Sequence, residues 1–76
     1  MTTVSEPSIA LRAQAALANS PIYELRELSV EHDRARDVLY LSGTVSSFYH
    51  KQLAQEVVRA VCKNIELELI NAIRVG

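Results

Sequence analysis

Helical and strand-like spacings of apolar residues alternate along the chain and divide it into segments. From residue 6 to 18, apolar side chains recur every four positions, which predicts an amphipathic first helix. Ser5 is its expected N-cap, and Pro21 ends it because the residue before a proline disfavours helical backbone. Residues 1–5 are expected to form a flexible tail. The buried stripe of this helix is predicted to contain Ile9, Ala13 and Leu17.

Two strands joined by a charged loop are predicted to follow the first helix. Residues 28–32 alternate apolar and polar side chains, as in a half-buried strand, and residues 38–45 do so again. The loop between them, Asp33–Asp37, is short enough to make these strands an antiparallel hairpin. In the connector before the first strand, Ile22 or Leu25 is expected to pack under the first helix.

A second helix and a third strand are predicted in the rest of the chain. The helix runs from Ser47 to Cys62, and the hydroxyls of Ser46 and Ser47 are candidates for its N-cap. The strand covers residues 65–75, where Asn71 interrupts the apolar alternation and is expected to mark a bend or bulge. The apolar stripe of the second helix contains Ala54, Val57, Val58 and Val61.

These elements predict a single α+β domain over residues 6–76, with the order α-β-β-α-β. A strand-helix-strand connection usually crosses over right-handed, so the third strand is expected to run parallel to the second and antiparallel to the first. Because each strand has one strongly apolar side, two helices are predicted to cover one face of a three-stranded mixed sheet, as a small two-layer sandwich. The open face is predicted to carry Glu27, Ser29, Glu31, Tyr40, Ser42, Thr44, Glu66, Glu68 and Arg74.

Gly43 lies inside the predicted second strand. A glycine in such a position indicates a bulge or the close approach of another element. We expect a helix to pack tightly against it. A larger side chain would open that contact, so Gly43→Val is expected to cost about 1–3 kcal/mol of stability by overpacking.

The composition excludes several kinds of function for this chain. The 76 residues are 49% hydrophobic with a formal net charge of −1, a globular composition without electrostatic attraction to nucleic acid. The single cysteine, Cys62, permits no intrachain disulfide and is expected to be a buried structural thiol. Residues 1–8 lack the pattern of a signal peptide, and no apolar run is long enough to span a membrane. The chain by itself therefore indicates a cytoplasmic location.

No group of residues forms a catalytic or metal-binding motif. His32 and His50 are the only histidines, and neither belongs to a cluster with ligand spacing. The serines around Gly43 lack the Gly-x-Ser-x-Gly frame of hydrolases, and Glu66 and Glu68 are interpreted as a solvated strand face. The sequence also lacks the Gly-x-x-Gly motif with which some small domains of this size clamp RNA. The chain is therefore expected to be neither an enzyme nor a protein that binds a metal or cofactor.

The residues around Gly43, along the second helix and in the third strand form one combined pattern. Its members are Leu39, Leu41, Ser42, Gly43, Val45, Ser47, Lys51, Ala54, Val57, Val58, Val61, Leu69, Asn71, Ile73 and Val75. Over about residues 8–75 the chain resembles the BON domain, named for bacterial osmotically inducible and nodulation proteins. The resemblance implies the α-β-β-α-β fold and a binding module, mostly periplasmic or envelope-associated, whose partners are phospholipid surfaces or cell-envelope components.

Two features depart from the family pattern. The loop Asp33–Asp37 is longer than the tight Asp-Gly turn that is common in the family. The residues after the second helix are Asn64 and Ile65, where the family commonly has a Gly-Val pair. Neither departure affects the predicted fold.

The entrance to the second helix is the first candidate contact surface. Two aromatic rings beside a basic residue suit a lipid interface or a protein contact. In the alternative interpretation, Phe48 or Tyr49 packs back on the core or on the end of the first helix. The candidate residues are Phe48, Tyr49, His50 and Lys51.

The open sheet face is the second candidate. Tyr40 and Ile70, together with Ala72, are expected to form a small apolar patch there. This patch, or an edge of the first or third strand, would serve a cytosolic protein-interaction module or a homodimer.

Overall fold

Three helices and a mixed β-sheet make up the protein in the computed structural model, which describes residues 8–76. The α+β class and the order of the main elements are as predicted, and one short helix is an addition. The helices are α1 (Ile9–Ala18), α2 (Tyr23–Arg26) and α3 (Phe48–Val61). The strands are β1 (Ser29–Asp33), β2 (Val38–Ser42), β3 (Thr44–Val45), β4 (Glu68–Asn71) and β5 (Arg74–Val75).

The first helix begins with a serine cap. The Ser8 side-chain oxygen accepts a hydrogen bond from the Leu11 amide at 3.1 Å, and α1 starts at Ile9. The cap is therefore Ser8 and not the predicted Ser5. The flexible tail predicted for residues 1–5, and the predicted helix start at residue 6, lie outside the described residues.

The connector after α1 is itself one helical turn, which the sequence analysis did not predict. Ser20 Oγ accepts a hydrogen bond from the Ile22 amide at 3.0 Å, and α2 follows directly. Leu25 is buried and Ile22 is half-buried, as expected for residues that pack under α1. A four-residue helix is too short for its apolar spacing to distinguish it from a loop.

The sheet has β2 at its centre. Strand β1 pairs with β2 antiparallel, with Val30 opposite Leu41, and β4 pairs with β2 parallel, with Leu39 opposite Leu69. These are the directions predicted from the order of the elements. Strands β3 and β5 continue the parallel ladder as a two-stranded extension.

The single long strand predicted over residues 65–75 is two short ones, and residues 65–67 lie outside them. Leu41 lies opposite Asn71 and Thr44 opposite Arg74, so the register is the same before and after the interruption. No residue is inserted in either strand. Asn71 therefore ends the first part of the ladder but does not mark a bulge.

The apolar side chains of helices and sheet meet in one core. Leu39 and Leu41 of the central strand are fully buried, with Ala54 and Val58 from α3. Two residues of the predicted α3 stripe, Val57 and Val61, are only half-buried. The core cluster consists of Ala13, Leu17, Leu25, Leu28, Leu39, Leu41, Val45, Ala54, Val58, Cys62 and Ile73.

A glutamine side chain joins α1 to the edge of the sheet. Gln14 Nε2 donates to the Leu28 carbonyl at 2.6 Å, and its Oε1 accepts from the Val30 amide at 3.0 Å. The Leu28 carbonyl directly before β1 and the Val30 amide within it lie on the edge away from β2, where a neighbouring strand would otherwise bond them. Gln14 therefore fixes α1 against β1 and occupies this part of the edge.

An asparagine side chain joins α3 to the other side of the sheet. Asn71 Nδ2 donates to the Lys51 carbonyl at 3.2 Å and to Gln55 Oε1 at 3.1 Å. Its Oδ1 accepts from the Ile73 amide at 3.1 Å. A polar residue thus stands in an otherwise apolar alternation because it satisfies backbone groups where the ladder is interrupted.

Gly43 allows a close contact that a Cβ would displace. Its φ of +129° lies in a region that side-chain-bearing residues rarely adopt. A Cβ on Gly43 would lie 2.6 Å from Leu28 Cδ2. The predicted close approach is therefore present, but the approaching group is the Leu28 side chain before β1 and not a helix.

The hairpin loop Asp33–Asp37 is held by its own hydrogen bonds. Asp33 Oδ1 accepts from the amides of Ala35 at 3.1 Å and Arg36 at 3.3 Å. Asp37 has a φ of 55°, a left-handed conformation that aspartate tolerates better than most residues. An aspartate thus takes the backbone conformation for which tight turns usually use glycine.

Replacing Gly43 with alanine or valine is expected to lower the free energy of unfolding by about 1–3 kcal/mol, because the new Cβ overlaps Leu28 and the backbone becomes strained. Urea unfolding measures this difference. Gly76→Ala is the matched control, since a Cβ there would meet only Thr44 Cγ2 at 3.9 Å. If the Gly43 and Gly76 variants unfolded at the same urea concentration, the expected loss of stability at Gly43 would be contradicted.

Candidate functional site

The start of α3 is fixed by a serine cap. Ser47 has extended backbone, and its Oγ accepts a hydrogen bond from the His50 amide at 3.1 Å. Of the two candidate serines, Ser47 is therefore the N-cap. Ser46 has a different contact, because both its amide and its hydroxyl donate to Glu24 of α2.

Three donors converge on one carboxylate oxygen, and we call Glu24, Ser46 and His50 the Glu24 clamp. Glu24 Oε1 accepts from the Ser46 amide at 3.0 Å, from Ser46 Oγ at 3.1 Å and from His50 Nδ1 at 2.7 Å. The Ser46 amide, followed by the His50 ring and the Ser46 hydroxyl, lowers the pKa of Glu24 below its ordinary value. The clamp ties α2 to the first turn of α3.

The Glu24 clamp contains the three residue types of a hydrolase triad, but its hydrogen bonds differ. A carboxylate only accepts, so His50 Nδ1 carries the proton it shares with Glu24. In a triad the serine hydroxyl donates to the other ring nitrogen of the histidine. Here the Ser46 hydroxyl donates to the carboxylate itself, which does not activate it as a nucleophile.

The two rings that follow the cap point into solvent. Phe48 is 74% exposed and Tyr49 is 68% exposed. The interpretation in which one of them packs back on the core is therefore wrong. The Tyr49 ring lies 5.8 Å from the His50 ring, and His50 and Lys51 are half-buried.

A third aromatic ring lies on the element that the clamp joins to α3. Tyr23 is exposed at the start of α2, and the Arg26 guanidinium lies 5.9 Å from its ring centroid. Arg26 also donates to the Ser20 carbonyl at 3.0 Å. We call Tyr23, Phe48 and Tyr49 the aromatic surface.

The open sheet face has a smaller apolar feature. Tyr40 lies opposite Glu31 on one side and Ile70 on the other, and Tyr40 and Ile70 are half-buried. Ala72 is exposed, as expected for the same face. Tyr40 and Ile70 are thus ladder neighbours, and Glu68 lies two residues before Ile70 on β4, opposite Val38.

Two further reactive side chains, Cys62 and His32, lie outside the Glu24 clamp. Cys62 is buried at the end of α3, and burial raises the pKa of its thiol although the Arg12 charge partly offsets this. His32 Nε2 is buried, has no hydrogen-bond partner within residues 8–76, and lies 3.6 Å from Asp37 Oδ1. A buried thiol with a raised pKa is a poor nucleophile.

Three kinds of site are absent from the part of the chain that the structure describes. Residues 8–76 contain no group of three or more His, Cys, Asp or Glu side chains that could hold a metal ion. This part of the chain has no pocket, so both candidate contact surfaces are open surfaces. None of its helices has the length and apolar character to cross a membrane.

Sequence reasoning missed the residue that organises the candidate site. Glu24 lies 22 residues before Ser46 and 26 before His50. Nothing in its local sequence distinguishes it from an ordinary exposed glutamate. Leu25 is buried beneath α1, and this places Glu24, the residue before it, beside the start of α3. The three side chains meet only for this reason.

The Glu24 clamp is expected to lose its stabilising effect in acid. Because folding lowers the pKa of Glu24, the clamp stabilises the protein above the ordinary carboxyl range, and this is lost as the pH falls through the lowered pKa. Between about pH 6 and pH 3, the wild type should therefore lose more stability than Glu24→Gln.

Urea unfolding at a series of pH values measures this difference, and the proton shift of the Ser46 amide follows the titration directly. Glu27→Gln is the control, since that carboxylate is exposed and has no hydrogen-bond partner among the described residues. Identical pH profiles for the wild type and Glu24→Gln would contradict the expectation.

Comparisons with known proteins add no assignment to this geometry. No protein-family model matches the chain, and no curated protein matches it significantly.

Proposed function

We propose that this protein is a non-catalytic binding module of the BON type that associates with phospholipid surfaces through its aromatic surface. The observation that carries the proposal is the exposure of Phe48 and Tyr49, two adjacent rings at 74% and 68%. Envelope proteins whose surface is apolar and anionic, like that of a phospholipid membrane, could bind to the same residues.

The site holds its rings in a defined position. Ser47 caps α3 and the Glu24 clamp ties its first turn to α2, so Phe48 and Tyr49 follow directly on a fixed backbone. Rings held in this way lose little further backbone entropy when they bind. Tyrosine, with an apolar ring and a polar hydroxyl, is well suited to the boundary between headgroups and acyl chains.

Local charge supports an anionic surface as the partner. The protein has a formal net charge of −1, so attraction has to come from one region rather than from the whole molecule. The N-terminal end of α3 carries the positive end of the helix dipole and Lys51 in its first turn, and the one carboxylate held there, Glu24, is bonded by three donors of Ser46 and His50. On α2, Arg26 adds a cation beside Tyr23.

The resemblance to the BON domain supports the same function. The residues that carry it surround the site: Gly43 and Val45 precede the cap, and Ala54 and Val58 form the buried side of α3. These residues orient α3 with its first-turn rings outward. The phospholipid and envelope partners of that family then become the proposed partners of this chain.

Replacing Phe48 and Tyr49 together with serine is expected to weaken binding to anionic vesicles at least about tenfold, because it removes two rings that would bury apolar area in the membrane. Vesicles of phosphatidylcholine mixed equally with phosphatidylglycerol serve as the probe, with pure phosphatidylcholine as the comparison. Amide-shift titration of the wild type should show changes clustered in residues 46–54.

Leu11→Ser is the matched control for this experiment. Leu11 is also a large exposed hydrophobic residue, with 64% of its surface exposed, but it lies on α1, outside the aromatic surface. Undiminished vesicle binding by the folded Phe48→Ser, Tyr49→Ser variant would reject the site. If the wild-type protein bound to neither type of vesicle, the proposed phospholipid binding would be rejected.

A second candidate function is a cytosolic protein-interaction module that uses the open sheet face. The favouring observation is that Tyr40 and Ile70 lie opposite each other in the ladder and form one apolar strip, with Glu31 opposite Tyr40 on β1 and Glu68 two residues before Ile70 on β4. An apolar strip with acidic flanks would suit a partner surface that presents apolar side chains among basic ones.

Changing Tyr40 and Ile70 together to serine is expected to abolish capture of such a partner while leaving vesicle binding by Phe48 and Tyr49 intact. Pull-down from a lysate with wild-type bait, followed by quantitative comparison with the variant, measures this. A partner retained equally by the variant would place its contact elsewhere on the protein.

A further inference from the structure

The two outer edges of the sheet are not equally available for pairing. On the β1 side, Gln14 already bonds the Leu28 carbonyl and the Val30 amide. On the other side, β4 and β5 each have a strand partner on one side only. An unpaired strand edge of this kind can take up a further strand.

The free edge has backbone groups in the orientation that pairing needs. The amides of Glu68, Ala72 and Arg74 donate toward β2 and its continuation, at 3.0, 2.9 and 2.9 Å. Successive amides along a strand alternate in direction, so those of Leu69 and Asn71 point away from β2. The Ile73 amide, which also points outward, is already bonded by Asn71 Oδ1.

The side chains along this edge are complementary to their own antiparallel copy. Glu68 and Arg74 lie at equal distances along the chain on either side of Asn71. A two-fold axis at Asn71 therefore places Glu68 opposite Arg74 of a second copy, and Arg74 opposite Glu68. Both side chains are exposed, and neither has an ion-pair partner within residues 8–76.

The same axis also matches the apolar residues. On the open face Ile70 comes opposite Ala72, and on the helix face Leu69 comes opposite Ile73. Residues whose backbone groups point outward are paired with each other, as antiparallel hydrogen bonding requires. An in-register parallel arrangement would instead set Glu68 against Glu68, which is destabilising.

We propose that a second copy of this chain is the partner of the β4–β5 edge. The two three-stranded sheets then join antiparallel about Asn71, with four symmetric hydrogen bonds that leave the Asn71–Ile73 contact intact. Two Glu68–Arg74 ion pairs set the register. This interface uses neither the aromatic surface nor Tyr40, so it is independent of the proposed lipid function.

Charge reversal tests both the dimer and its register. Sedimentation velocity of the full chain, from micromolar to millimolar concentration, should show a monomer–dimer equilibrium. Glu68→Arg or Arg74→Glu alone sets like charges against each other twice per dimer and should weaken association at least about tenfold. An equimolar mixture of the two single variants should recover the dimer, because every pair across the interface is again of opposite charge.

The matched control is Arg34→Glu, a charge reversal in the exposed hairpin loop that should leave the equilibrium unchanged. Circular dichroism confirms that each variant folds, and Glu68→Gln with Arg74→Gln replaces any that does not. Exchange of the Leu69 and Asn71 amides should slow as the wild-type concentration rises. A wild type that stays monomeric, or single variants whose mixture does not recover, would overturn the proposal.

Discussion

The burial of β2 is the constraint on which the other elements depend. This strand pairs on both sides, and its Leu39 and Leu41 are fully buried beneath the helices. A shift of one residue would turn both leucines to the open face, so the register with β1 and with β4 is strongly specified. Gly43 follows directly, and because it has no Cβ it leaves room for the Leu28 side chain beside the strand. The core and the ladder therefore fix each other.

The candidate site depends on that core for its position and on hydrogen bonds for its orientation. Leu25 is buried, which holds the short α2 beside the start of α3. Glu24, the residue before it, then binds Ser46 and His50. With the backbone of the first turn held by the cap and the clamp, Phe48 and Tyr49 are directed outward instead of covering the core.

Two side-chain amides occupy backbone groups at the edges of the sheet, to different extents. Gln14 bonds two such groups on the β1 side, the Leu28 carbonyl and the Val30 amide, whereas Asn71 bonds only the Ile73 amide on the other side and turns its nitrogen to α3. Strand edges that remain open are sites of association in soluble proteins. The self-complementary charges at Glu68 and Arg74 would limit such association to one antiparallel register, which is how an edge can be specific without being blocked.

Much of this architecture is determined by the sequence alone, because apolar periodicity over ten or more residues reflects which side of an element is buried. It predicted α1, α3, the hairpin and the parallel return strand, and the capping serines before α3 predicted the helix start to within one residue. The sequence also indicated a close contact at Gly43 and a candidate contact surface at residues 48–51. Only the tertiary structure decided the short α2, the identity of Leu28 as the neighbour of Gly43, and the Glu24 clamp. These features depend on residues that are far apart in the sequence and come into contact because the core brings their backbones together. The local sequence pattern around each residue does not indicate such contacts.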